Sequence, residues 1–113
     1  MSLVLERSDA FREDFALQAL WYVRQAGAEI ARRYQRAVDA TLQLLSREPH
    51  LGRIRRFRHP KLQGLRSFVV QCPFNALVIF YRVNGEVLQV WRLMHGARNL
   101  PRRLLETPGS GGE

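Results

Sequence analysis

FYRVNGEVLQVWRLMHGARNLP, residues 80–101, is the stretch on which the fold turns. Asn84-Gly85 is the strongest short hairpin signal in the chain, because a two-residue type I′ turn needs positive φ at both central positions. The apolar runs on either side read as strands over residues 76–83 and 86–95. With Asn84 and Gly85 at the tip, Val83 faces Glu86, Tyr81 faces Leu88, Ile79 faces Val90 and Leu77 faces Arg92. The opposite face then carries Val78, Phe80, Arg82, Val87, Gln89, Trp91, Leu93 and His95. The second strand runs directly into His95, Gly96 and Arg98. Polar groups at the end of a rigid strand are where sites tend to be built.

Upstream of the hairpin, residues 65–72 read as another strand and residues 73–75 as a turn. Residues 49–64 (PHLGRIRRFRHPKLQG) read as a loop. It holds two prolines, two glycines, His50, His59 and five cations: Arg53, Arg55, Arg56, Arg58 and Lys61. Further upstream the pattern is helical. A short apolar strand over residues 3–7 leads to Ser8-Asp9, which offers an N-cap, with Glu13 and Asp14 in the early turns where the helix dipole favours acids. Apolar residues at 11, 15 and 22 and at 17, 20 and 21 give a helix over residues 9–25. After Gly27 the stripe Ala31, Tyr34, Val38, Thr41 or Leu42, and Leu45 gives a second helix. It ends by Glu48, because Pro49 disfavours helical geometry in the residue before it. Two helices joined at a glycine bury their stripes by folding back as an antiparallel hairpin. The fold class is therefore α+β in the order β-α-α-β-β-β: an N-terminal strand, a helical hairpin and a three-stranded antiparallel meander in one small sheet. Residues 1–106 form a single domain. Residues 107–113 (TPGSGGE) have the composition of a disordered tail.

Bulk properties narrow the function classes. The chain has 113 residues, 18 basic and 10 acidic, for a net charge of +8. All but Lys61 of the basic residues are arginine, whose planar fork suits carboxylate and phosphate. The charge favours an acidic partner, either nucleic acid or protein. No apolar run approaches a membrane span, and the N-terminus lacks a signal-peptide pattern. A single cysteine, Cys72, allows no internal disulfide. A cytoplasmic location is expected, with no membrane association. There is no Gly-rich phosphate loop, no GxSxG elbow and no metal-spaced His or Cys set, so neither a cofactor nor a metal is expected. Carboxylates are sparse in the C-terminal half, which argues against two-carboxylate glycosidase or two-metal nuclease chemistry.

The candidate site residues follow from the hairpin. Leu77, Ile79, Leu88 and Val90 are the better face for packing on the helices. The other face is then an apolar patch of Phe80, Trp91 and Leu93 rimmed by Arg82 and His95, the pattern of a binding surface. His95 with Arg98 is the one candidate chemical pair, an acid or base beside a phosphate-stabilising cation; the alternative is that His95 holds the Gly96 turn and Arg98 pairs with a carboxylate. The basic loop either grips phosphates or is simply solvated. Residues 99–105, with Arg102 and Arg103, either insert into a partner or form a third small helix that packs Leu100, Leu104 and Leu105 on the core.

Taken in order, the first strand, the helical hairpin, Pro49-x-x-Gly52-Arg53, Gly64-x-Arg66, Tyr81-Arg82-Val83 and His95-Gly96-Ala97-Arg98 resemble the ParE branch of the RelE/ParE superfamily, the toxins of type II toxin–antitoxin modules. The resemblance covers about residues 3–104. It implies a helical hairpin packed on a small antiparallel sheet, inhibition of DNA gyrase by binding, and neutralisation by a ParD-like antitoxin whose C-terminal segment wraps the toxin in a hetero-oligomer. An antitoxin segment needs an apolar trench with a cationic rim, which the exposed sides of the helical hairpin and the sheet face of Phe80 and Trp91 could supply. Arg82, Arg92 and Arg98 would bond its carboxylates. The resemblance does not give the target contacts, for which the basic stretch with Arg102 and Arg103 is the candidate. RelE-like relatives instead cleave mRNA on the ribosome, using an arginine early in the third strand, one after the fourth strand, and a late tyrosine or histidine. Here the first position is Val78, the second is matched by Arg98, and the region of the third holds Leu104, with no tyrosine after Tyr81. A binding inhibitor is therefore expected, with an endoribonuclease as the alternative.

Overall fold

A computed structural model describes residues 2–96 and 100–109. The elements are β1 (Val4–Arg7), α1 (Asp9–Ala26), α2 (Ala28–Arg47), β2 (Arg53–Ile54), β3 (Arg66–Val69), β4 (Leu77–Asn84), β5 (Val87–His95) and α3 (Leu100–Leu105). The expected α+β order is present, with two additions: the short β2 inside the basic loop, and α3. The sheet is five-stranded, ordered β1-β5-β4-β3-β2. The β3-β4-β5 meander is antiparallel as expected. The N-terminal strand corrects the all-antiparallel picture, because β1 lies parallel to β5, from Val4 beside Val87 to Arg7 beside Val90.

The hairpin tip sits one residue further on than the Asn-Gly signal suggests. Asn84 pairs with Val87, so Gly85 and Glu86 form the turn. Gly85 has φ +62°, which a side chain at this position would resist. Val83 therefore faces Leu88 and Tyr81 faces Val90, a shift of two that leaves each side chain on its expected face. The next pair is Phe80 with Arg92, so Trp91 is an extra residue in β5. This β-bulge reverses the faces beyond it. Leu93 joins the core under the helices with Leu77, Ile79, Tyr81, Leu88 and Val90, while Met94 joins Phe80 on the other side.

The helices follow their sequence signals closely. The Ser8 hydroxyl accepts from the Phe11 N–H at 2.9 Å, capping α1, and donates to the Trp91 carbonyl at 2.8 Å. One residue thus starts the helix and ties it to the bulge. Gly27 takes φ +96° between the helices. The expected stripe of α2, Ala31, Tyr34, Val38, Thr41, Leu42 and Leu45, is buried throughout.

The second sheet face is not open, contrary to the sequence reading. Leu62 and Leu65 from the loop region and Leu104 from α3 close over Phe80 and Met94, with Phe57, Val78, Trp91 and Leu100 packed around them. The apolar residues between the loop's cations act as its anchor. Residues 100–105 form the third small helix of the second alternative. Leu104 is its buried anchor, but Leu105 stays exposed rather than packing on the core.

Candidate functional site

Burial divides the residues expected to meet a partner. Phe80 is fully enclosed in the second cluster. Arg92, expected as a surface cation, is buried too. Its Nε and Nη2 hold the two carboxylate oxygens of Asp14 on α1 at 2.6 and 3.0 Å. Its Nη1 donates to the carbonyls of Arg103, Leu104 and Glu106 at the end of α3. Asp14 also accepts the Leu93 N–H at 3.1 Å. A bidentate pair so well satisfied is a structural bolt between α1, β5 and α3. Breaking it by removing one partner costs about 3–5 kcal/mol. Phe80 and Arg92 thus present no side chain to a partner in this fold.

Arg82 and Trp91 remain half-exposed. The Arg82 guanidinium lies 5.1 Å from the centre of the Trp91 ring, and its Nη2 donates to the Lys61 carbonyl at 2.7 Å. Trp91 Nε1 is enclosed and has no hydrogen-bond partner among the described residues. At the end of β5, His95 is exposed, and its carbonyl accepts from Arg103 Nη1 at 3.1 Å. Arg98 lies outside the described residues, as do residues 110–113 of the expected tail. Arg102 is exposed on α3 and pairs with Glu106 at 3.0 Å.

The quoted motifs meet at one node. Tyr81 Oη donates to the Pro49 carbonyl at 2.6 Å and accepts the Gly52 N–H at 2.9 Å. Arg66 Nη1 donates to the Gly52 carbonyl at 2.9 Å. A Cβ on Gly52 would collide with Tyr81 Oη, so only glycine fits. Burial raises the Tyr81 pKa, which keeps the hydroxyl protonated as a donor. Pro49, Gly52, Arg66 and Tyr81 therefore seat the basic loop on the sheet.

Of the two places expected to supply an antitoxin groove, the exposed side of the helical hairpin is the one left open, and it lies on α1. The helix turns Phe11, Phe15, Ala19 and Tyr22 to the core. Its other side exposes Leu17, Leu20, Trp21 and Val23, with Trp21 53 % exposed. Both stripes were visible as positions 11, 15, 22 and 17, 20, 21, and the core takes up the first of them. Beside this face runs a groove of about 730 Å³ lined by Leu17, Trp21, Leu93, Met94, His95 and Arg103. Asp14 and Gln18 also line it, but the Asp14 carboxylate is held by Arg92. Apolar walls with Arg103 at the rim suit an amphipathic segment bearing carboxylates.

A family model described as the ParE toxin of the type II toxin–antitoxin system parDE matches residues 5–100. Among solved structures, the chain is similar to one from the chromosomal ParDE toxin–antitoxin system of P. aeruginosa. The two share 19 % identity at a TM-score of 0.68, over 85 % of this chain and 98 % of that one. It is also similar to a chain of the RelBE2 toxin–antitoxin complex from Mycobacterium tuberculosis. Here identity is 18 % and the TM-score 0.54, over 85 % of this chain and 100 % of that one. At these identities the likeness is one of fold. Comparison with curated proteins gives no match.

Proposed function

The chain belongs to the ParE toxin family of type II toxin–antitoxin systems, and from that premise we propose that it is a toxin that acts by binding, held in check by a ParD-like antitoxin seated in the α1 groove. The observation that carries the antitoxin site is the apolar face of α1 that the described residues leave exposed, Leu17, Leu20, Trp21 and Val23, beside Arg103 at the groove rim. An antitoxin segment laying its own apolar face there would bury that stripe, and its carboxylates would meet the rim. Arg82 on β4 and Trp91 on β5 are a second candidate contact. Both solved neighbours come from toxin–antitoxin systems, which supports a partner of this kind.

DNA gyrase is the proposed target, as the family resemblance implies. Arg102, exposed on α3, is its candidate contact, with Arg103 beside it. The endoribonuclease alternative is weaker. Val78 stands where RelE-like chemistry uses an arginine, and Tyr81 is enclosed as a donor to Pro49. A supercoiling assay with purified gyrase, run beside an mRNA-cleavage assay in a translation extract, tests the target. Loss of supercoiling without cleavage is the expected result. Cleavage with gyrase unaffected would replace this reading with the endoribonuclease.

A further inference from the structure

Between Pro49 and Gly85 the sequence holds seven cations and no Asp or Glu. Elsewhere all ten acids share the chain with the other eleven basic residues. The structure keeps this segment together as the basic loop, β2, β3 and β4, on the far side of the sheet from β1. None of its cations joins an ion pair among the described residues; the pairs that form use Arg32, Arg36, Arg92 and Arg102. Three of the seven are engaged otherwise. Arg55 lies over Phe57 and donates to Ser67, Arg66 braces Gly52, and Arg82 lies over Trp91. Arg53, Arg56, Arg58 and Lys61 remain exposed on the loop and edge strand, and Arg56 and Arg58 line an open cleft with His59 and Pro101.

We infer that this acid-free rim is a docking surface for the phosphate backbone of double-stranded DNA, read without regard to sequence. It does not depend on the antitoxin reading, and it lies apart from the α1 groove: α1 packs on one face of the sheet, whereas the loop anchors on the other through Leu62 and Leu65. Charge complementarity selects a polyanion, because the exposed guanidinium groups have no carboxylate near them in sequence. The choice among polyanions rests on the side chains between the cations. Single strands are held by exposed aromatic platforms, and the aromatic nearest the rim, Phe57, is half-buried and already covered by Arg55. Duplex RNA is recognised by its shape and by 2′-hydroxyl as well as phosphate contacts across the minor groove; the Gln63 amide N–H, a neutral donor suited to a hydroxyl, is spent on the Phe57 and His59 carbonyls. Backbone phosphates of duplex DNA need only the cations. A rigid seat favours such contacts, since Tyr81, Gly52 and Arg66 hold the loop from beneath.

The test is anisotropy binding of the full chain to an arbitrary duplex of ~20 bp across a salt series. Four phosphate contacts give a log–log salt slope of about −3.6. Replacing Arg56, Arg58 and Lys61 together with alanine should weaken binding at least about tenfold and flatten the slope to about −0.9, with the melting temperature unchanged. If that variant does not fold, Arg56→Gln and Arg58→Gln are read singly, each lowering the slope by about 0.9. Removing three cations elsewhere, Arg24, Arg33 and Arg47, should change affinity much less. No binding at ~50 mM salt overturns the proposal. So does equal loss in the control triple, which would reduce the effect to net charge. Tighter binding of single-stranded RNA, duplex RNA or polyglutamate than of duplex DNA overturns it as well.

Discussion

The two long helices are neighbours of similar length and opposite character. Eight residues of α2 are buried, and its outer face is charged. Only Phe11 of α1 is buried outright, although apolar residues line both its sides. The amphipathic helix α2 has one task, which is to roof the sheet. In α1 the core needs Phe11, Phe15, Ala19 and Tyr22, whereas Leu17, Leu20 and Trp21 stay exposed among the described residues. Exposed apolar surface of this kind is kept where a partner covers it. The difference between the helices thus separates residues that make the fold from residues available for recognition.

The sharpest way to break that contrast is to truncate a leucine on each helix. Leu42 on α2 has no exposed surface, so Leu42→Ala leaves a cavity and should cost about 2–5 kcal/mol in denaturant unfolding. Leu20→Ala on α1 should change stability by less than about 0.5 kcal/mol. Comparable losses at both positions would mean that the outer face of α1 is packed in solution, and the proposed antitoxin groove would go with it.

Trp21 sharpens the comparison from the partner's side. It is the largest exposed residue of the stripe and meets Tyr22 edge-on at 5.3 Å. Trp21→Ala should weaken antitoxin affinity by about 2 kcal/mol, as anchors of this type do. Its melting temperature should stay close to that of the parent chain. Calorimetric titration with the antitoxin's C-terminal segment measures the first and thermal unfolding the second. Unchanged affinity would move the site to Arg82 on β4 and Trp91 on β5.

The same contrast marks how far the sequence can be read. Signals carried by near neighbours gave the right elements: the Ser8 cap, the α2 stripe, and the stop before Pro49. What escaped depends on residues far apart in the chain. Arg92 is buried because Asp14, 78 positions away, meets it. Trp91 bulges where Ser8 bonds its carbonyl across 83 positions. That bulge exchanged Leu93 and Met94 between faces, which alternation alone could not foresee. Phe80 was read as exposed because the loop was read as polar, and its cations masked the apolar residues that cover the sheet. The two stripes of α1 were legible, but only packing reveals which of them the described residues leave exposed.

The smallest expected effect lies at the helix starts. α1 is capped by the Ser8 side chain, whereas α2 follows Gly27 and has no side-chain cap. In its first turn α2 carries Glu29, where the helix dipole favours an anion. Arg32, 2.9 Å from the Glu29 carboxylate, lowers its pKa first by hydrogen bonding and then by charge, with a further pull from Arg36 and Arg33. Because the folded pKa is depressed, the contribution of Glu29 is fully present above the unfolded glutamate value and is lost as pH falls through the folded one. The group is fully exposed, so the effect belongs in a site-resolved titration rather than in global unfolding. An NMR titration of the Glu29 carboxyl should give a midpoint below about 4.3, the ordinary glutamate value. Arg32→Ala should move it back towards that value and make the first turn of α2 fray at neutral pH. A Glu29 midpoint unmoved by Arg32→Ala would leave the uncapped start of α2 resting on its packing alone, through Ala31 and Tyr34.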